Sequence, residues 1–360
     1  MKEILMYRKG TTLFFGLLPL FFLTGFITFK TNNQRVIPAI VTQKVFGDSD
    51  DPAIWINYND PRKSLILGTD KNDHNGGIYV FNLTGEIDSN LTRTGMKRVN
   101  NVDIIQRVAW SDSLIDLVVV TERGENQLRI FELPSMRPLD GGGIPVFIGE
   151  KERSPMGVAF YKRRTDNALF VIVSRKNGPT GTYLWQYRLK QGKKGQIEAV
   201  VSRKFGKFSG FKEIESIAVD TLFEHIYYSD EQNGIRKYFA DPLKGDEELA
   251  VFGKSDFKED NEGISFYHLS DSTGYILVSD QGANQFQIYN LDTGVGGINT
   301  HKLITTIPVS TLESDGSDCT SFSLPGFEKG MFVAMSADRT FHFYRWIDFV
   351  SQSNQQLKSR

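Results

Sequence analysis

The sequence predicts an all-β fold, a six-bladed β-propeller, on three observations. An aromatic-rich strand motif recurs six times, a Gly/Asn-rich turn precedes each copy, and a polar-then-apolar segment lies upstream of each turn. The aromatic strands are residues 78–83, 128–133, 184–189, 235–240, 286–291 and 341–346, and their starts lie 50, 56, 51, 51 and 55 residues apart. A period near 50 built only of strands corresponds to one four-stranded blade per repeat. Six repeats fill most of the 360 residues, which sets aside the two-domain expectation that length alone would give.

The turns are residues 69–72, 121–124, 174–178, 229–234, 279–282 and 336–339. Their Gly and Asn residues suit the left-handed backbone angles of hairpins; their charged residues have no such explanation. The upstream segments, 50–55, 100–104, 155–160, 215–219, 262–266 and 315–319, are expected to be the innermost strands. Antiparallel pairing puts the start of an innermost strand beside the end of its neighbour. Acids that open one element and charges that close the next are therefore expected at one mouth of the channel.

Composition limits the function. The chain carries 42 basic and 43 acidic residues, for a net charge of −1, and shows no basic excess of the kind nucleic-acid binders carry. The single cysteine, Cys319, excludes an internal disulfide and a cysteine zinc site. Five histidines are scattered with no pair at zinc-ligand spacing, and the Arg-His-Gly-x-Arg, Cys-x5-Arg and Gly-x-Ser-x-Gly nucleophile motifs are absent.

The ends read differently from the middle. Lys2, Arg8 and Lys9 precede an apolar run over 13–29, broken by Pro19, and residues 30–33 are polar. Residues 1–33 resemble a bacterial signal peptide or an uncleaved membrane anchor. The expected location is outside the cytoplasm: periplasmic, extracellular or tethered to the membrane. The propeller is expected over 36–348, as a monomer, with a frayed polar tail over 349–360.

The expected mouth is crowded with charge. Its acids are Asp50, Asp51, Asp103, Glu215, Asp230, Glu231, Asp260, Glu262, Asp280, Asp315 and Asp318; its bases are Lys71, Arg123, Arg175 and Lys176. So many carboxylates raise one another's pKa values unless cations sit among them. Hard oxygen ligands without clustered His or Cys point to Ca²⁺. Bases concentrate in the first three repeats and acids in the last three, an arrangement suited to a polyanion such as a phosphate ester.

At these residues the sequence resembles the β-propeller phytases, alkaline calcium-dependent enzymes that hydrolyse myo-inositol hexakisphosphate (phytate). The resemblance runs over 36–346 and is carried by residues 50–55 (Asp-Asp-Pro-Ala-Ile-Trp), 100–104, 215–218, 260–264, 279–282 and 315–318. It implies calcium ligands at Asp50, Asp51, Glu215, Glu231, Asp260, Glu262, Gln281 and Asp315, with backbone carbonyls of Pro52 and Val102. It further implies Lys71, Arg123 and Lys176 as bases that hold substrate phosphates, with Glu215 and Glu262 central to turnover. Calcium ions would bridge the scissile phosphate and activate water, beside a second site for a neighbouring phosphate, with no covalent phosphoenzyme. Two positions depart from the family pattern: Met156 stands where a Tyr usually contacts metal-bound phosphate, and Asn177 where some members have an acid. Two other classes fit a six-bladed propeller: a metal-dependent sugar lactonase, which has no use for a Lys/Arg wall, and a non-catalytic binding module.

Overall fold

The computed structural model describes Gly10 and residues 34–291, 299–354 and 356–360. The predicted signal or anchor over 1–33 lies, Gly10 apart, outside the described residues. No helix among the described residues is long and apolar enough to cross a membrane. Residues Gln34–Arg360 form one compact unit.

That unit is a six-bladed β-propeller. Blade 1 runs outward from the channel through Ser49–Trp55, Leu65–Asp70, Gly76–Phe81 and Arg93–Met96. The inner strands of blades 2 to 6 are Val99–Trp110, Pro155–Lys162, Ile217–Asp220, Asn261–His268 and Ser317–Thr320. Blade 6 is completed from the far end of the chain, because its outer strand is Ile40–Val41, paired with Thr340–Arg345. This closure ties the start of the ring to its end and removes the two open edges an unclosed ring would have.

The apolar core is divided by the blades. Six clusters of buried side chains sit one at each junction: Trp185 and Phe160 pack with Val119 and Leu128 between blades 2 and 3, for example, and Tyr227 with Ile264 and Ile276 between blades 4 and 5. Alternate residues of each strand face opposite neighbours, so a blade is apolar on both sides.

The tail does not fray. Trp346–Gln352 is helical, with Phe349 fully buried, and Leu357 is buried in the same cluster as Trp346. Trp346 Nε1 donates to Lys358 O at 2.8 Å, and Arg360 N donates to the Tyr267 hydroxyl at 3.0 Å. The polar composition of 349–360 concealed two apolar anchors, Phe349 and Leu357, spaced to dock on blades 5 and 6.

Candidate metal and phosphate site

Pairing brings the inner-strand starts and second-strand ends together: Ser49 opposes Asp70, Val99 opposes Glu122, Pro155 opposes Arg175 and Asn261 opposes Asp280. In these four blades the inner strand is bulged at its first turn. A bulge adds a residue, twists the strand and re-aims side chains. The first bulge residues are Asp50, Asn100, Met156 and Glu262; Glu215 and Asp315 open the inner strands of blades 4 and 6 at equivalent places. Small residues follow where blades approach closely. A Cβ on Gly157 would lie 2.2 Å from Glu215 O, and one on Gly316 2.7 Å from the Asp51 Cα.

A hydroxyl ladder fixes these openings. Thr121 Oγ1 donates to Met156 O at 2.8 Å, Ser174 Oγ to Ile214 O at 2.7 Å, Ser229 Oγ to Glu262 O at 2.5 Å and Ser279 Oγ to Ser314 O at 2.7 Å. Each hydroxyl closes one blade's second strand and grips the opening of the next blade. In sequence these Ser/Thr positions had no assigned role, although their recurrence just before each charged turn was visible.

The next position along each second strand points away from the mouth. Asp70 accepts from Gly47 N and Asp48 N, Asp230 from Ser209 N and Arg236 Nε, and Asp280 from Lys258 N and Gln285 Nε2. Arg175 is 1% exposed, pairs with Glu150 and donates to Thr182 O. Asp230, Asp280 and Arg175 were expected at the mouth; instead they pin the loop that enters their own blade. Asp103 and Asp318 also leave the mouth. They line the channel below it and staple inner strands, Asp103 Oδ2 accepting from Phe160 N at 2.6 Å and Asp318 Oδ2 from Ile54 N at 2.8 Å. Burial pushes Asp103 up to about 7 and Asp318 up to about 6.

The position after that does reach the mouth: Lys71, Arg123, Lys176, Glu231 and Gln281 in blades 1 to 5. Two carboxylate groups assemble around them. In the first, Lys71 Nζ lies 2.7 Å from Asp50 Oδ1 and 2.6 Å from Asp315 Oδ2, and Gln281 Nε2 donates to Asp315. Burial opposes the Lys71 charge, but Asp50 and Asp315 overcome it and hold the ammonium firmly protonated. In the second, Glu213, Glu215 and Glu231, and likewise Glu231, Asp260 and Glu262, bring ligand oxygens within 4.8 Å of one another. Glu215 joins the two groups, since burial and then repulsion from Asp50 and Asp315 raise its pKa well above the usual range. Burial and the repulsion of Glu215 do the same to Glu262, and burial with Glu213 repulsion takes Glu231 up to about 8.

Glu213 was missing from the sequence-derived set. It sits two residues before Glu215 in extended chain, on the same side, and accepts from Lys176 Nζ. That i, i+2 spacing was the available signal. Arg123 is half-buried and forms no ion pair among the described residues; burial and the nearby Arg98 lower its pKa. Asp51 turns into the channel, where its Oδ2 accepts from Val102 N at 3.0 Å, and burial raises its pKa well above normal. Pro52 and Val102 line the channel cavity beneath it. Met156 is 1% exposed.

The oxygens test whether a hard cation fits. Glu213 Oε2, Glu231 Oε1 and Glu262 Oε2 are buried without any hydrogen-bond donor. A buried carboxylate oxygen left so costs several kcal/mol unless it is protonated or meets a cation. With no His or Cys among them, these donors fit a divalent ion that prefers oxygen.

The model of the family described as Phytase matches residues 25–342. The 3-phytase of Bacillus subtilis (strain 168) is 24% identical over 320 residues, covering 86% of this chain and 78% of that protein. A propeller with such a mouth and such relatives is a phosphoric monoester hydrolase. The chain belongs to the phytase family.

Proposed function

We propose that the protein removes phosphate from myo-inositol hexakisphosphate with Ca²⁺ held at the propeller mouth. The observation that carries this reading is the set of buried, donor-free oxygens on Glu213, Glu231 and Glu262, with Lys71, Arg123 and Lys176 set among the mouth carboxylates. The residues that would hold metal are Glu213, Glu215, Glu231, Asp260 and Glu262 on one side, and Asp50 and Asp315 with Gln281 on the other. Bound there, divalent ions supply positive charge against the nonbridging phosphate oxygens and acidify a water for attack on phosphorus.

The chain's own groups do the rest. Arg123, in no ion pair among the described residues, offers a planar fork to two oxygens of a phosphate. Lys71 and Lys176, now neutralising Asp50, Asp315 and Glu213, can contact a phosphate dianion that enters with its own countercharge. Met156, buried and without a hydroxyl, adds no hydrogen bond. The hydroxyl ladder holds the Met156 and Glu262 carbonyls in place, so the carboxylates keep their aim through turnover.

The deciding assay measures phosphate release from phytate with Ca²⁺, then with excess chelator. Release that needs calcium supports the reading; calcium-independent release, or none under any calcium condition, overturns it. A lactonase would act on lactones and leave phosphate esters intact, and the Lys/Arg wall would be idle in it. Export is proposed on residues 1–33 alone, and cleavage at their end is read by N-terminal sequencing of the secreted protein.

A further inference from the structure

One base at the mouth belongs to no part of the sequence-derived set. Lys212 lies in the loop entering blade 4, with its Nζ 3.2 Å from Glu231 Oε2 and bonded to Asp260 Oδ2. Those two carboxylates, with Glu262, are the ones whose oxygens converge within 4.8 Å. The ammonium therefore rests on two of the carboxylates that a divalent ion would take.

The fit of the ammonium is partial. It brings one charge and three donors. Glu231 Oε1 and Glu262 Oε2 still have no donor, although both are buried beside it. A cation with six to eight oxygen ligands, as Ca²⁺ prefers, would engage all of them. An ammonium and a divalent ion held by the same two carboxylates repel each other strongly at that separation. The more weakly held of the two gives way.

Lys212 is built to leave. Its side chain is 45% exposed, against 18% for Lys71, which is wedged between Asp50 and Asp315. The loop behind it is anchored: Asp230 accepts from both the backbone and the hydroxyl of Ser209. Between anchor and lysine, Gly210 has φ +85° and open space around it. The four-carbon stem can swing the ammonium away while the backbone stays. Two further bases sit among the neighbouring carboxylates, Lys176 on Glu213 and Arg123 close to Glu213 and Glu215.

We propose that Lys212 is an exchangeable counter-cation: it holds Glu231 and Asp260 in the metal-free protein, and an incoming divalent ion releases it onto a substrate phosphate. The proposal rests on the hydrolase reading above and adds to it a phosphate-binding residue and an order of events. Metal enters first, and the phosphate subsite gains a base as a consequence.

The test compares the wild type with Lys212→Met, which keeps the stem and loses the charge, and Lys212→Arg, which keeps the charge. Calcium affinity is measured by competition with a chromophoric chelator in the absence of phosphate. Removing the competitor in Lys212→Met should tighten the weakest calcium site about tenfold, a modest figure because the pair is partly solvated. The affinity of the calcium-loaded protein for inorganic phosphate, read by calorimetry, should fall about tenfold in Lys212→Met. It should return to within about threefold of wild type in Lys212→Arg. Unchanged or weaker calcium binding in Lys212→Met refutes the exchange, and unchanged phosphate affinity refutes the release onto phosphate. A wild type that binds no calcium and frees no phosphate overturns the hydrolase reading itself. A wild type that does both beside an indistinguishable Lys212→Met overturns only this inference.

Discussion

Glu231→Gln should separate stability from function. Glu231 has no exposed surface, one of its oxygens lacks any donor, and burial with Glu213 repulsion takes its pKa from 4.5 to about 8. An acid raised in this way lends its stability below the unfolded value and loses it as pH rises towards the folded one. At pH 7 the shift amounts to about 3 kcal/mol against folding, at 1.36 kcal/mol per pKa unit. Solvent relaxation around the mouth takes back part of this, and the lost Lys212 contact takes back under about 1 kcal/mol. A net gain of about 1–2 kcal/mol remains, or roughly 1.5–3 °C in Tm for a domain of this size. The assay is thermal unfolding in excess chelator and again in saturating Ca²⁺. In chelator the variant should melt above the wild type. In calcium the order should reverse, because a ligand at 100 times its Kd adds about 2.7 kcal/mol to a protein that binds it, and the variant has lost a ligand oxygen. A variant that melts below the wild type in both conditions would refute the claim that unbalanced negative charge dominates this mouth.

Other outcomes follow from the same geometry. Replacing Glu215 and Glu262 together by Ala should cut phosphate release more than about 10³-fold while circular dichroism stays that of a propeller; retained turnover would remove both from the metal set. Metal-free stability should fall as pH rises from about 4.5 to 8, the window set by Glu231, and calcium affinity should climb over the same range as the carboxylates shed protons. Urea titrations at fixed pH measure the first, and chelator competition the second. Ser229→Ala should cost about 1–3 kcal/mol in chelator by stranding the Glu262 carbonyl, read as a shift in the urea midpoint. Leu357→Ala should cost about 2–4 kcal/mol despite its place three residues from the end, and a change under about 0.5 kcal/mol would mean that the tail is frayed after all.

Much of this protein is written in its local sequence. Six aromatic strands at a near-constant period specify six blades, because all but the last blade are local meanders whose strands pair with their sequence neighbours. Lys71, Arg123, Lys176, Glu231 and Gln281 occupy one position of that repeat, and a repeat position maps to one height on the channel wall. Their convergence could therefore be read without coordinates. The period-2 alternation also separates Lys71 from Asp70 and Glu231 from Asp230, so the loop-pinning role of Asp70, Asp230 and Asp280 was available to a stricter reading.

What only the tertiary structure decided lies where contacts leave the repeat. The outer strand of blade 6 is two residues, Ile40–Val41, whose partners lie some 300 positions away, and no local pattern marks so short a segment. Glu213 and Lys212 precede the repeat unit, in a loop whose course is set by the Asp230–Ser209 contacts. Asp103 and Asp318 look like the mouth acids in sequence, yet the inner strands of adjacent blades run side by side and capture both carboxylates on backbone N–H groups. Pairing within a blade is fixed by neighbours in the chain. Contacts between blades depend on how six sheets close into a ring, and that closure is a property of the whole.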